Sequence, residues 1–561
     1  MVRYKIRWLV LRRQANDMRD NGNSASSLEA PLRVKRVLIA NCYFDDSRQP
    51  IRRAQKIPQA VGPLYLAGFF HPKLCEVRCY TELASGPLKD QQMLGWPDMI
   101  VLTGLTNSFD RMLHLTAYAR SKNPRIIVVA GGPAVRALPA LASRYFDYCC
   151  HGDIEEMREV IVDTFGEAYT SDEAIPRYDL GYWLGSLGYI ESSRYCNFRC
   201  SFCSLTGEGH SYQTYDLNYI RQQILAAGKR KRIFFLDNNF YGSDRNQFRS
   251  RIELLNEMRS EKQFRSWSAL VTSDFYSREE NLFAAKSSGC ELLFTGVESF
   301  DSAWVQSCNK TQNRSDSQVQ LIKRCLESGI VFSYGLIFDI TTRCVEELQR
   351  ELDFITSTPE IPLPSFITLA IPLLGTPYFK QALEKGSILP NTKLRDMDGT
   401  TLLQQPIDAP CKVVQFVADL QRLWGYRQRV AKHSIEFLKR YRMKLNAEQL
   451  SIAVGQGVLL CAPRLSTSFS SGDWLKRCKR RTYVSTTEPL DEVYKPAFRV
   501  ESRFEHYFKP TMVTDFAGQL HEDLRDSAVL RSTTDADVVQ QRPSRINAGK
   551  TLSVLDEGKR R

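Results

Sequence analysis

The sequence predicts an α/β protein: an N-terminal doubly wound, Rossmann-like domain, then a partial (β/α)6 TIM-type barrel, then a helical C-terminal region. Two observations predict it. Short apolar runs alternate with amphipathic stretches of about ten residues, which is the pattern of βαβ units and parallel sheets. The alternation occurs in two separate series, and 561 residues give room for two to four domains. Apolar residues at 43% and charged residues at 25% are ordinary globular usage, which excludes a rod or a chain disordered throughout.

Residues 1–33 are polar and read as a flexible N-terminal extension. The first series occupies residues 34–168. Its strands are Arg36–Ala40, Val77–Tyr80, Met99–Thr103, Ile126–Ala130 and Tyr148–Cys150, and its helices are Pro63–Phe70, Asp110–Ser121 and Ile154–Phe165. A polar linker, Ala168–Leu180, precedes the second series over residues 180–405. Six strands are expected there: Tyr189–Ser192, Ile233–Asp237, Ser266–Val271, Leu292–Glu298, Phe332–Phe338 and Phe366–Ala370. Six βα units are too few for a closed eight-stranded barrel, so the barrel is open, with its chemistry at the C-terminal strand ends. Asp216 is the expected N-cap of a helix over Leu217–Ala227.

Residues 411–465 read as helical and basic, with ten Lys and Arg against three Asp and Glu. They supply about half of the net charge of +13. Residues 466–561 read as a C-terminal extension, partly disordered, that becomes polar from about Asp515. Lys439, Arg440, Arg442 and Lys444 share a stretch with Phe437, Leu438, Tyr441 and Leu445. A solvated helix face and a peripheral contact with an anionic membrane both remain open for it. Arg477, Lys479, Arg480 and Arg481 form a second basic run, but no nucleic-acid module is legible. No apolar run reaches the roughly 18 residues that span a bilayer, and no secretory pattern opens the chain, so a cytoplasmic protein is expected. Most of the 15 cysteines stand singly in apolar contexts, as small buried hydrophobes do.

One cysteine group differs. The first strand of the second series runs into Ser193-Arg194-Tyr195-Cys196-Asn197-Phe198-Arg199-Cys200-Ser201-Phe202-Cys203, a C-x3-C-x2-C spacing. Soft thiolates at this density select zinc or an iron–sulfur cluster. A closed zinc site wants four ligands, and His210 is the available fourth. Three cysteines on a [4Fe–4S] cluster instead leave one iron open, where the amino and carboxylate groups of S-adenosylmethionine (SAM) can chelate. An electron entering the sulfonium then releases methionine and a 5′-deoxyadenosyl radical.

On these residues the chain resembles the radical SAM superfamily, over about residues 185–400. The resemblance implies that Cys196, Cys200 and Cys203 hold the cluster and that Phe202 packs against adenine. Phe234-Phe235-Leu236-Asp237-Asn238-Asn239-Phe240 looks like the strand end that meets the SAM amino group, which points to Asp237 and Asn238. Gly296-Val297-Glu298-Ser299 matches a strand whose Glu298 and Ser299 reach the ribose or methionine part. Asn309-Lys310 matches a further pair, Gly335 to Phe338 flanks adenine, and Gly375-Thr376-Pro377 resembles the turn after the sixth strand. Phe338-Asp339-Ile340-Thr341-Thr342 departs from the Gly-x-Pro-x-Glu-Thr that many relatives carry after the fifth strand.

The first series resembles the cobalamin-binding domain of one radical SAM class. Pro58 to Ala67, Pro97 to Val101, Gly131-Gly132-Pro133 and Tyr148 to Asp153 carry the likeness. It implies that Gly104, Gly131 and Gly132 let a macrocycle approach the backbone. The Asp-x-His-x-x-Gly loop that supplies a cobalt ligand is absent. Of the domain's histidines, His71, His114 and His151, His151 precedes the Gly152 turn, where a site-lining and a solvent-facing side chain both remain open. The resemblance implies a [4Fe–4S] cluster, SAM and cobalamin as cofactors, and a reductase or a flavodoxin- or ferredoxin-type electron donor as a partner. The activity it implies is C-methylation of an unknown small molecule or lipid. A radical SAM oxidoreductase or cyclase without methylcobalamin, and a zinc-stabilised non-catalytic binding protein, are the alternatives.

Overall fold

The computed structural model describes residues 32–43, 60–313, 317–399, 401–413, 415–416, 424–460, 494–525 and 544–546. The first sheet holds β1 (Lys35–Asn41), β2 (Cys75–Thr81), β3 (Met99–Thr103), β4 (Ile127–Gly131) and β5 (Tyr148–Cys150), all parallel, in the order β2-β1-β3-β4-β5. This is a doubly wound order whose direction reverses between β1 and β3, so ligands belong at the C-terminal strand ends beside that point. The helices α1 (Gly62–Ala67), α2 (Phe109–Lys122) and α3 (Glu156–Thr164) lie close to their expected spans.

Strand alternation sends the two faces of this sheet to two different cores. Val37, Ile39, Met99 and Val101 share a core with α1 and with the second sheet. Leu38, Ala40, Ile100 and Leu102 share another with α2 and the chain's C-terminal part. Polar contacts also join the first sheet's layer to the second. The Tyr65 hydroxyl donates to Gln223 Oε1 at 2.7 Å, and Gln223 Nε2 donates to the Glu191 carbonyl at 2.8 Å.

The second sheet has six parallel strands in sequential order: β6 (Leu187–Ile190), β7 (Arg230–Phe235), β8 (Phe264–Leu270), β9 (Cys290–Glu298), β10 (Val331–Phe338) and β11 (Phe366–Leu369). Sequential parallel order is what an open half-barrel requires. Outer-face residues such as Ile233, Trp267, Leu293 and Leu336 are buried beneath the helices α4 (Leu217–Ala227), α5 (Arg245–Ser260), α6 (Glu279–Ser287), α7 (Gln318–Glu327) and α8 (Val345–Ser357). Asp216 caps α4 as expected, accepting from the Asn218 amide at 2.8 Å. The basic stretch resolves into α9 (Trp424–Tyr441) and α10 (Ala447–Leu460). Among the described residues no helix is long and apolar enough to cross a membrane, and no disulfide forms. The basic run at 477–481 and the extension 1–31 lie outside the described residues.

Part of the C-terminal extension differs from expectation. Residues 494–525 form a strap across α2, and they include the stretch from Asp515 expected to be polar and loose. Tyr494, Phe504, Tyr507, Phe508, Val513 and Leu524 are buried in the second core. His114 stacks on Phe508 at 4.9 Å between ring centroids, and the Ala497 amide donates to the Tyr118 hydroxyl at 2.6 Å. The strap also pairs with the end of the second series: Lys393 bridges Met512, and the Val513 amide donates to the Thr392 carbonyl. Aromatic anchors separated by irregular backbone have no helical or strand period, so a periodicity reading passes over them.

Asp110 lies fully buried under this strap. It accepts from the Tyr494 hydroxyl at 2.9 Å and the Thr511 amide at 3.1 Å. Burial pushes its carboxyl up to about 6, against those hydrogen bonds and the charge of Arg395. A carboxyl raised in the folded state stabilises it below the unfolded value near 3.8, and that contribution is lost as pH rises through about 6. His114 acts with the opposite sign: burial, then the charges of Arg111 and Arg395, holds it neutral, so its burial becomes costly as pH falls through 6.5. The Asp110 share is therefore read by difference. Relative to an Asp110→Asn variant, strap docking in the parent weakens between pH 4 and pH 7, by roughly 3 kcal/mol at most. Limited proteolysis of residues 494–525 across that range checks it.

Candidate functional site

The cysteine loop begins just after β6, at the C-terminal edge of the half-barrel. Cys200 is buried, and Cys196 and Cys203 are half-buried. Burial pushes the Cys196 thiol up to about 11 and raises that of Cys203, and both also feel the Cys200 thiol. Such buried thiols ionise only where a cation replaces their protons. Gln312 Nε2 donates to Cys200 Sγ at 3.5 Å. The loop is pinned from three sides. The Ser201 amide donates to the Cys308 carbonyl at 3.0 Å, Asn309 Nδ2 donates to the Arg199 carbonyl at 3.0 Å, and the Tyr378 amide donates to the Ser201 carbonyl at 3.1 Å. A Cβ on Gly207 would meet the Gly375 backbone at 2.8 Å, so the cysteine loop and the Gly375-Thr376-Pro377 turn pack directly together.

His210 does not join the thiols. Its ring stacks on Tyr195, 4.7 Å between centroids. Among the described residues the one trio of ligand atoms within 4.8 Å of one another is Cys344, Glu346 and Asp408. Lys412 already neutralises that group, 2.7 Å from each carboxylate. His210 is therefore placed against Tyr195 and not as a fourth ligand beside the cysteines.

Phe202 stacks against Trp304, 6.4 Å between centroids at 17°, and Ile337 packs with them. Phe338 was the expected adenine neighbour. It is 2% exposed and packs outward on Phe416, because side chains alternate along β10 and put Ile337 on the concave face. Glu298 ends β9 with φ of 64°, a left-handed conformation that is unusual for a glutamate, at a register shift against β10. Its carboxylate lies 3.0 Å from the buried Lys310 ammonium. A Cβ on Gly296 would meet that carboxylate at 2.2 Å, so a larger residue there would displace the Glu298 side chain. Lys310 also faces the thiols of Cys200 and Cys196.

Two other expected ligands are spoken for. Asp237 is fully buried and accepts from the Ser192 amide at 2.7 Å, the Ser192 hydroxyl at 2.5 Å and the Ser193 hydroxyl at 2.7 Å, with Arg251 3.5 Å away. It clamps the end of β6 to the end of β7 and has no face left for a cofactor. Ser299, 1% exposed, donates to Glu351 Oε1 at 2.7 Å and accepts from Arg343 at 3.0 Å. Asn238, by contrast, is exposed at the barrel mouth. Its neighbour Asn239, given no separate role by the sequence reading, is buried, and its Nδ2 donates to Asn197 inside the cysteine loop at 2.8 Å.

Below Glu298 on the concave face, Phe294 stacks on Phe366 at 5.7 Å and 11°. Phe366 is 46% exposed, and its ring covers the bare Gly335. Across the mouth, a cavity of about 290 Å³ lies between the two sheets. Gly62, Pro133, Arg136 and Asp153 line it from the first, and Tyr195 and Asn238 from the second.

Residues 190–355 match the radical SAM superfamily, and residues 58–162 match the B12 binding domain. The chain carries a radical SAM domain joined to a B12-binding domain. It is 26% identical over 314 residues to the bacteriochlorophyllide d C-12(1)-methyltransferase of Chlorobaculum tepidum, covering 51% of this chain and 66% of that protein. It is 24% identical over 319 residues to the hopanoid C-2 methylase of Rhodopseudomonas palustris, covering 52% and 59%. The alignments thus span about two thirds or less of those relatives. The fold is that of the cobalamin-dependent S-adenosylmethionine radical enzyme OxsB, with a TM-score of 0.52 at 14% identity, over 81% of this chain and 82% of that one.

The radical SAM domain implies a [4Fe–4S] cluster and SAM, and the B12-binding domain implies cobalamin. The residues fit the first pair: three thiols on one short loop, two of them facing the buried Lys310 ammonium, are a donor set for an iron–sulfur cluster. They fit the second at the C-terminal edge of the first sheet, where Leu105 stands 68% exposed after β3 and a side chain on Gly62 would meet open space. Gly104 and Gly132 are also kept bare by packing. A Cβ on Gly132 would strike the Gly104 carbonyl at 2.7 Å, and one on Gly104 would come within 3.0 Å of Cys42, so these two loops keep each other bare. Gly131 has only an ordinary 3.5 Å neighbour, Cys150. His114 is sequestered under the strap, and His71 precedes β2 at the opposite sheet end. His151 is the domain histidine at this edge, where it is exposed.

Proposed function

We propose that this protein is a cobalamin-dependent radical SAM C-methyltransferase acting on a substrate with an apolar body. The observation that carries it is the placement of the B12-binding edge directly over the cysteine loop, with one cavity shared between them. When bound, the cluster supplies the electron that cleaves SAM to a 5′-deoxyadenosyl radical, and cobalamin carries the methyl group. The chain's own residues hold and exclude. The Phe202–Trp304 pair and Ile337 offer an apolar slot beside the thiols, and the Glu298–Lys310 pair offers one charge of each sign. Phe366 and Phe294 give an apolar shelf one step below. Asn238 and Tyr195 border the path between the two halves.

The test is anaerobic. The protein is reconstituted with iron and sulfide, reduced, and given SAM with and without hydroxocobalamin, in the presence of either an organic-solvent extract or an aqueous extract of cells. We expect 5′-deoxyadenosine that depends on the triad, and S-adenosylhomocysteine that depends on hydroxocobalamin and rises with the organic extract. 5′-Deoxyadenosine alone under every condition supports the oxidoreductase or cyclase reading instead.

A further inference from the structure

We propose that Asp153 and Tyr195 are positioning residues that fasten the cysteine loop to the B12-binding domain, so that binding of a corrinoid on one side and of SAM on the other are coupled. The inference rests on the function proposed above and adds a route between its two cofactor sites.

The cysteine loop is bracketed. Just before the triad, the Tyr195 hydroxyl donates to Asp153 of the first domain, and Arg194 lies 3.3 Å from Asp153 and 2.9 Å from Glu155. Just after it, Glu208 lies 2.6 Å from Arg136. Arg136 in turn donates to the His151 carbonyl at 2.9 Å and the Gly152 carbonyl at 2.7 Å, and it reaches Asp153 at 3.3 Å. One flank of the three cysteines therefore docks directly on the turn of residues 151–155, at the C-terminal end of β5, and the other reaches the same turn through Arg136. That edge is the one where a doubly wound sheet binds its ligand.

Tyr195 is also strained. Its φ is 64°, in the left-handed region that a bulky residue enters only where its surroundings over-determine it. Its fixed contacts are the hydroxyl bond to Asp153 and the ring stack on His210. Cys196 is the next residue, so a relaxation of this φ swings the first thiol. The pose of the triad thus depends on a contact made by the other domain. Any ligand that orders the 151–155 turn favours one pose of the loop, and by linkage a ligand of the loop favours one pose of the turn.

The experiment uses the full chain with its cluster reconstituted and left oxidised, so that SAM binds without being cleaved. SAM affinity is measured by equilibrium dialysis with and without saturating hydroxocobalamin. We expect hydroxocobalamin to tighten SAM binding by about fivefold or more in the parent. Tyr195→Phe keeps the ring on His210 and loses only the hydroxyl, and Asp153→Asn keeps the shape and loses the charge. In both, the ratio should fall to near one, with iron content and the visible spectrum of bound hydroxocobalamin unchanged. A parent ratio of one, or variants that keep the parent's ratio, would overturn the coupling while leaving the functional reading intact. A parent that takes up iron and sulfide but no hydroxocobalamin would instead sink the methyltransferase reading, and this inference with it.

Discussion

Cys200→Ala is expected to abolish SAM cleavage, with at least a thousandfold loss of 5′-deoxyadenosine formation, an order of magnitude set by the removal of the electron source itself. Of the three thiols proposed to hold the cluster Cys200 is the buried one, and it receives the Gln312 amide. Replacing its sulfur with hydrogen removes one of three ligands and leaves that amide facing an apolar methyl. The backbone is unaffected, since the loop is held by main-chain bonds at Arg199 and Ser201. The control is Cys325→Ala. Cys325 is fully buried under β10, and burial holds its thiol protonated, so it packs rather than ligates. Iron, acid-labile sulfide and 5′-deoxyadenosine should all collapse in the first variant and persist in the second. Equal iron in both would mean that the cluster sits elsewhere.

The second large effect is on stability. Asp237→Ala should cost about 3–5 kcal/mol, because it leaves the Arg251 guanidinium buried without its carboxylate and frees the Ser192 amide and two hydroxyls. Arg251 would retain the Ser192 hydroxyl at 3.0 Å, the neighbouring Tyr212 and the face of Phe240, 4.7 Å from the ring centroid. The loss should appear in thermal unfolding. It should be accompanied by lower iron uptake, since Ser192 and Ser193 lead directly into the cysteine loop. The double variant Asp237→Ala/Arg251→Met should recover most of the stability, as buried ion pairs replaced by apolar groups commonly do. If the single variant unfolds like the parent, the clamp between β6 and β7 is not structural.

These two residues also show how far the sequence could be read. The cysteine spacing stands out in the sequence because it is local, three thiols within one short segment. The eleven strands were legible because parallel strands buried on both faces read as short apolar runs. Asp237 and Ser299 misled because a polar residue at a strand end looks alike whether a cofactor or a distant side chain fills it. Their partners lie 14 and 52 positions further on, at Arg251 and Glu351. The period of two along β10 separates Phe338, on the outer face, from Ile337, which shares its parity with Gly335, under Phe366. The latch between Asp153 and Tyr195 crosses 42 positions and two domains, and no local pattern announces it.

The strap over α2 has a bearing on the order in which this protein is made. The first sheet and α2 leave the ribosome early, but Tyr494, Phe504 and Phe508 emerge some 370 residues after Lys122. At about 5–20 residues per second the interval is roughly 20–75 s. For that time His114 and Tyr118 have no aromatic cover, and Asp110 stands in water with its charge intact. An ionised Asp110 keeps that face soluble while it waits, and only the arrival of Tyr494 and Thr511 makes its burial tolerable. The domain begun first is thus completed last, and a chain that stops short of residue 494 displays an apolar helix face to whatever is near.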